Sequence, residues 1–277
     1  MTDWLINGER RETVSVMDRG LMYGDGLFET IAIRTGRARF LDYHLERLAD
    51  GSRRLAIPLP DHGIIEREVE AVAAGCEFGA VKVILTRGVG RRGYAPPPDP
   101  VTTRIVGLIP GRSSSPAVYQ DGIVVRFCKT TMSVNRRLAG MKTLGRLDQV
   151  LARAEWTEST VGEGLMATEE GQIISGTMTN LFLVSGSRLL TPELNRCGIR
   201  GVMRRVVMEQ ARRLQIECHE IDVYRDELLD ASEVFVTNSN IGIWPVVEID
   251  DRRYGIGPVT RGLMNALADI GVSECCQ

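Results

Sequence analysis

The chain has 277 residues, 43% of them hydrophobic and 25% charged, and a formal net charge of −2. This suits one large domain or two ordinary ones with a sizeable buried core. The near-neutral balance gives no bulk electrostatic case for nucleic acid or a membrane surface, and no apolar run nears the roughly 20 residues of a membrane span.

The first third predicts short strands and helices in alternation. Trp4-Leu5-Ile6 reads as a strand entering a turn at Asn7-Gly8, and Glu29 to Arg34 as a strand with a hairpin at Thr35-Gly36. His44 to Leu55 places Leu45, Leu48 and Leu55 at helical spacing, and residues 63–74 form a second amphipathic helix. Val81–Thr86 and Thr103–Leu108 are strands. Residues 109–116, IPGRSSSP, lose apolar periodicity, which makes them the linker region. Beyond it come a strand at Gly122–Cys128, a helix near Thr143–Thr157, and a meander over 163–190 broken at Glu170-Gly171 and Ser185-Gly186. A helix at Val202–Leu214, a strand at Gln215–Ile221, a helical stretch at 223–231, a strand at Val234–Thr237 and a last helix near 258–270 complete the pattern. The expected organisation is α/β: a small N-terminal α/β domain over 1–110, a linker at 111–117, and a larger domain over 118–277 rich in antiparallel strands. Ligand sites favour the junction of such domains.

The N-terminus has no apolar run long enough for a signal peptide. None of the six cysteines forms a CxxC pair and there are three histidines, so no metal site is expected, and scattered cysteines suit a reducing cytoplasm.

Only three of the 34 basic residues are lysine: Lys82, Lys129 and Lys142. This scarcity shortens the list of amine nucleophiles. Lys82 sits in a strand and Lys129 at a strand end, where a solvated charge is the ordinary role. Lys142 follows Gly140-Met141 at the start of the helix whose apolar stripe is Leu144, Leu147, Val150 and Leu151. Apolar neighbours would desolvate its amine, lower its pKa and expose its lone pair for Schiff-base chemistry.

Three stretches carry phosphate-type signals. GIRGVMRR (198–205) sets two glycines before a helix, whose first amides could receive an anion or simply enter the helix. VTNSN (236–240) is either a set of phosphate donors or a plain turn. Arg47 lies three residues after His44 on one helix face, where it either grips a phosphate or is solvated. RGVGRRGYAPPP (87–98), with three arginines and three glycines, is either a loop for a carboxylate-bearing substrate or a solvated one.

DRGLMYGDGLFETI (18–31), HLERL (44–48), RGYAP (92–96), GMKTLGRLDQVLAR (140–153), GTMTNLFLV (176–184), GIRGVMRR and VFVTNSN (234–240) occur in one order along the chain. In this they resemble the fold type IV pyridoxal-phosphate enzymes, which include branched-chain aminotransferases, D-amino-acid transaminases and 4-amino-4-deoxychorismate lyases. The resemblance runs nearly end to end, and KTLGRLDQ and the GRRGY loop are most similar to the lyases. It implies that Lys142 is the Schiff-base lysine for pyridoxal 5'-phosphate and the later acid–base. It implies that Arg47 holds the phosphate with Gly201, Val202 and Met203 at a helix start, and that Asn238, Ser239 and Asn240 close over it. Asn180 falls near the cofactor ring. Many relatives have Glu five residues before that asparagine, paired with the pyridine nitrogen. Here the position is Ser175, unless Glu169 or Glu170 fills the role. A neutral hydroxyl stabilises a ring carbanion less than a carboxylate-held proton would, which leans toward elimination rather than transamination. The implied reaction converts 4-amino-4-deoxychorismate to 4-aminobenzoate and pyruvate. Arg91 and Arg92 are expected to hold substrate carboxylates, Tyr94 to shape the pocket, and the enzyme to be a cytoplasmic homodimer with no nucleic-acid or membrane partner.

Overall fold

The computed structural model describes residues 4–276. Its Cα trace divides into two units, Met1–Ser113 with Met141–Gly145, and Ser114–Gly140 with Arg146–Gln277. The five residues around Lys142 thus group with the first unit, although the rest of their neighbourhood in sequence belongs to the second.

The first unit runs β1 (Trp4–Ile6), β2 (Glu9–Arg10), α1 (Arg19–Tyr23), β3 (Gly26–Arg34), β4 (Arg37–Ala38), α2 (Leu41–Leu55), α3 (His62–Ala73), β5 (Phe78–Thr86) and β6 (Thr103–Pro110). The sheet order is β2-β1-β6-β5-β3-β4, every neighbouring pair antiparallel. Period-two alternation sends Leu27, Ile31 and Ile33 of β3 and Val81, Val83 and Leu85 of β5 to one face. There they pack on Leu45 and Leu48 of α2 and on Ile65 and Val69 of α3. Full burial of each such side chain is worth roughly 1.5–3 kcal/mol. The intervening residues Phe28, Thr30, Lys82 and Ile84 fall on the other face and are half-buried. Asp18 caps α1 by accepting from the Gly20 N–H at 2.8 Å, and Gly24 closes it at φ 66°.

Residues 142–144 join this sheet. The Phe28 N–H donates to the Lys142 carbonyl at 2.9 Å, the Leu144 N–H donates to the Gly26 carbonyl at 3.0 Å, and Leu27 bridges Thr143. Backbone engaged in this way cannot start a helix, so the helix expected from Thr143 begins only at Leu147.

The second unit runs α4 (Pro116–Asp121), β7 (Ile123–Phe127), α5 (Leu147–Arg153), β8 (Val161–Ala167), β9 (Ile173–Gly176), β10 (Asn180–Ser185), β11 (Arg188–Pro192), α6 (Val202–Arg213), β12 (Cys218–Ile221), α7 (Arg225–Leu229), β13 (Glu233–Asn238), β14 (Gly242–Ile249), β15 (Arg252–Arg253), α8 (Pro258–Asp269) and a 3-10 turn at Ser273–Cys276. The sheet order is β12-β11-β10-β13-β14-β7-β8-β9, with β15 on β14. Antiparallel pairing dominates, and the parallel pairs are β11–β12, β14–β7 and β7–β8. Leu181, Leu183, Val234 and Val236 line one face with Ile123, Val246 and Leu228 of α7. Phe182 and Phe235, directly paired, face the other way and stack with centroids 5.0 Å apart.

The apolar stripe expected to bury α5 does not do so. Leu147 is 75% exposed, Val150 61% and Leu151 60%, and the residue of this helix that is buried is Ala152. Helical spacing was correct, but a seven-residue helix presents one face to its own unit, and here that face carries the alanine.

Candidate active site

In the first unit, Lys142 is half-buried. Its Nζ lies 4.3 Å from the centroid of the Phe28 ring, and Lys82 Nζ lies 4.8 Å from the same centroid. Lys82 stands in a central strand, so neither lysine is a freely solvated charge on a loop. An aromatic face and a carbonyl anchored to β3 hold the Lys142 amine in place.

Arg47 does not point into open solvent. Its Nε donates to Glu29 Oε1 at 2.8 Å and its Nη2 to Oε2 at 2.5 Å. His44 Nδ1 reaches Glu29 Oε2 at 2.6 Å. Burial opposes ionisation of Glu29, but the charge and hydrogen bonds of Arg47, with those of His44, outweigh it and hold the carboxyl down to about 2. Burial pushes the His44 pKa below its ordinary value against the pull of Glu29, so the imidazole is neutral and donates from Nδ1. Its Nε2 is buried without a hydrogen-bond partner.

The 87–98 loop is held by its backbone. Arg19 donates from Nη1 to the carbonyls of Gly93 and Ala95 at 3.1 and 3.4 Å, and from Nη2 to that of Tyr94 at 2.9 Å. Asp25 in turn accepts from Arg19 Nε and Arg87 Nε, both at 2.8 Å. Arg87, the first arginine of the loop, is thereby buried, also donating to the carbonyls of Leu55 and Ala56. Arg91 and Arg92 are exposed, and Tyr94 is 83% exposed, tilted against Tyr23 at 5.3 Å between centroids.

In the second unit the phosphate-type elements converge around Asn180. Its Oδ1 accepts from the Gly201 N–H at 3.1 Å and its Nδ2 donates to the Ile199 carbonyl at 2.9 Å. Gly201 is the N-cap of α6, with no side-chain cap and no acid in the first turn. The next amides, of Val202 and Met203, start a 12-residue helix whose first turn carries no acidic side chain. A Cβ at Gly201 would meet Asn180 Oδ1 at 2.1 Å, so any side chain there would have to displace the asparagine. Asn180 pairs with Thr237, which brings the 238–240 turn alongside. Asn238 Oδ1 accepts from the Asn240 and Ile241 N–H groups at 2.9 and 3.1 Å, fixing a turn that carries Ser239 at its tip. Gly140 bridges Ile199, and its N–H donates to the Gly198 carbonyl at 2.9 Å. The chain reaches Lys142 two residues later.

Ser175 is buried, and its hydroxyl donates to the Gly176 carbonyl at 2.9 Å. Glu169 and Glu170 are exposed in the β8–β9 turn, with Glu170 3.4 Å from Arg196. The carboxylate that shapes this region is Glu163, which sequence reasoning did not single out. It is 1% exposed and accepts from Thr177 N–H, Thr177 Oγ1, Met178 N–H and Thr179 Oγ1 at 3.1, 2.6, 3.2 and 2.9 Å, and from its neighbour Gly164. Glu29 was missed likewise. A lone charge amid apolar alternation in FETI was the available signal. Among the described residues no group of three or more His, Cys, Asp or Glu side chains is placed to hold a metal ion, and no helix is long and apolar enough to cross a membrane.

The first unit thus holds a half-buried lysine on backbone paired with β3, and the second holds a helix start at Gly201 beside a donor-rich turn. The family profile of class IV amino-transferases matches residues 26–249, and the chain belongs to that family. Within it, the chain is similar to the 4-amino-4-deoxychorismate lyase of Pseudomonas aeruginosa, whose crystal structure superposes with a TM-score of 0.93 at 42% identity, covering 97% of this chain and 99% of that one. It is 32% identical over 270 residues to the aminodeoxychorismate lyase of Vibrio harveyi, covering 95% of this chain and 98% of the relative. A hypothetical aminotransferase from Mycobacterium tuberculosis, in its PLP-bound form, shares the fold with a TM-score of 0.83 at 21% identity over 98% and 99% of the two chains.

Proposed function

We propose that this protein is a pyridoxal-phosphate-dependent 4-amino-4-deoxychorismate lyase, forming 4-aminobenzoate and pyruvate. The observation that carries this reading is the end-to-end likeness to the Pseudomonas lyase. The residues present fit the cofactor. Lys142 offers the amine, Arg47 a charged guanidinium, and Gly201 to Met203 a helix start with no acid in its first turn and a Cβ-less N-cap. When bound, pyridoxal 5'-phosphate supplies an electron sink for the carbon that loses its proton.

Lys142 is the group that moves protons. Its Nζ takes the proton from the amine-bearing ring carbon of the substrate, and enolpyruvate leaves from the adjacent carbon as the ring becomes aromatic. Gly201, Val202, Met203 and Arg47 hold the phosphate, Asn238, Ser239 and Asn240 close over it, and Asn180 orients the helix start by its bond to Gly201. Arg91 and Arg92 receive the substrate carboxylates beside Tyr94. Ser175 supports elimination over transamination, because its neutral hydroxyl is spent on the Gly176 carbonyl and Glu163 is committed to the 177–179 turn. We place the enzyme in the cytoplasm as a homodimer. The family likeness supports the dimer, and the exposed Leu147, Val150 and Leu151 of α5 offer it an apolar surface.

The test is to mix cofactor-loaded protein with 4-amino-4-deoxychorismate, without amino donor or acceptor, and to follow both products. Stoichiometric 4-aminobenzoate and pyruvate, lost in Lys142→Ala, are expected. Release of keto acids from amino acids, with neither product formed, would make the protein a transaminase.

A further inference from the structure

The FETI segment carries a charge to which the proposed function gives no task. Glu29 is 1% exposed, in the middle of a strand whose neighbours on that face are Leu27 and Ile31. A lone carboxylate there would be costly, and it persists because three donors converge on it: Arg47 Nε, Arg47 Nη2 and His44 Nδ1. The pairing with Arg47 is bidentate: two adjacent N–H groups of a rigid guanidinium meet the two oxygens of a rigid carboxylate. Fixing one edge of the guanidinium fixes the direction of the whole plane.

The strand does a second thing. At the preceding residue, the Phe28 N–H holds the carbonyl of Lys142 at 2.9 Å. One residue of β3 thus anchors the main chain that carries the amine, and the next anchors the arginine. Pyridoxal phosphate is a small rigid molecule with its aldehyde and phosphate a set distance apart. Whatever fixes the lysine and the arginine relative to one another decides whether both ends can be held at once.

We propose that Glu29 is a positioning residue for cofactor binding, with His44 as its support: it orients Arg47 toward the phosphate in register with Lys142. This rests on the reading of Arg47 as a phosphate ligand and Lys142 as the Schiff-base lysine. His44 completes the carboxylate's hydrogen bonds while remaining neutral, so the cluster adds no further positive charge.

The test compares binding of pyridoxal 5'-phosphate with that of pyridoxal, both followed by the absorbance of their adduct with Lys142. Pyridoxal makes the same bond to the lysine and lacks the phosphate. In Glu29→Gln, and in Glu29→Asp, which keeps the charge but withdraws it by one methylene, the phosphate form should bind about tenfold or more weakly while pyridoxal changes little. In an Arg47→Gln background, Glu29→Gln should produce no further change in the ratio of the two affinities. A purely structural role would weaken both ligands alike, and a purely neutralising role would tighten the phosphate form in Glu29→Gln; either result overturns the proposal. If Arg47→Gln lowers the ratio but both Glu29 variants leave it unchanged, the positioning role fails and the reading of Arg47 stands. If Arg47→Gln also leaves it unchanged, the reading of Arg47 fails.

Discussion

Removing the charge of Glu163 tests how the second unit builds the segment leading into Asn180. The carboxylate accepts five hydrogen bonds, from the N–H groups of Gly164, Thr177 and Met178 and from the hydroxyls of Thr177 and Thr179. The turn is wrapped so tightly that a Cβ at Gly176 would lie 2.7 Å from the Glu163 carboxyl carbon. Glu163→Gln keeps the shape and one accepting oxygen. The amide NH2 then faces Met178 N–H and Thr179 Oγ1, which accept nothing as they stand. Hydrogen bonds to a charged group contribute about 1.5–3 kcal/mol each, and a threonine hydroxyl can turn to become an acceptor, whereas an N–H cannot. One lost bond and one reversed one give an expected loss of about 2 kcal/mol. Glu163→Ala, which leaves all the donors and a cavity, should cost about 4 kcal/mol, discounted for water reaching the turn. The assay is urea unfolding, reading the midpoint at unchanged slope. A Gln variant within about 0.5 kcal/mol of the parent would refute the reasoning, because it would mean the charge contributes nothing that an amide cannot.

Gly201→Ala should weaken pyridoxal phosphate binding about tenfold, measured by titration of the lysine adduct, because a methyl 2.1 Å from Asn180 Oδ1 must displace the asparagine from the helix start. Acid should destabilise the protein partly through Glu29. Its carboxyl is depressed in the folded chain, so its contribution is fully present above the unfolded value near 4.5 and is lost as pH falls toward about 2. The total is about 3 kcal/mol, and a Glu29→Gln variant should show a flatter fall in unfolding midpoint between pH 4.5 and 2.5 than the parent does. His44 acts in the same direction at higher pH, since its depressed pKa makes the folded state lose stability as pH drops below 6.5.

Much of this molecule was legible in its sequence, and the parts that were not share a cause. Strong periodicity located α2, α3 and α6 and the meander from β8 to β11 within a few residues. Asn7-Gly8 and Thr35-Gly36 marked turns because both pairs adopt positive φ there, with Asn7 at 51°, Gly8 at 89°, Thr35 at 49° and Gly36 at 75°. Strand β14 was not anticipated. Pro245 breaks its run, yet the strand is internal, paired with β13 on one side and β7 on the other, where the ladder shifts between Val246 and Glu248. The helix expected from Thr143 failed for a different reason. Its first residues were claimed by β3, an element more than a hundred positions earlier, and local propensity carries no information about such a partner.

The same division holds for function. The sequence offered Lys142 as a candidate amine, by the rarity of its kind and its place after Gly140-Met141, and it offered Arg47, the 198–205 segment and the 236–240 turn as candidate anion-type elements, with their roles implied by the family resemblance. Those signals are composition and order, which a linear string carries in full. Only the tertiary structure decided what the buried carboxylates do. Glu29 and Glu163 look in sequence like any other acid, because a charge is defined by its surroundings. Their donors come from 15 and 18 residues away for Glu29 and from 14 to 16 residues away for most of those on Glu163, brought in by helix packing and strand turning. Folding turned two unremarkable glutamates into anchors because burial makes an unpaired charge costly, and it was the packing that supplied the partners.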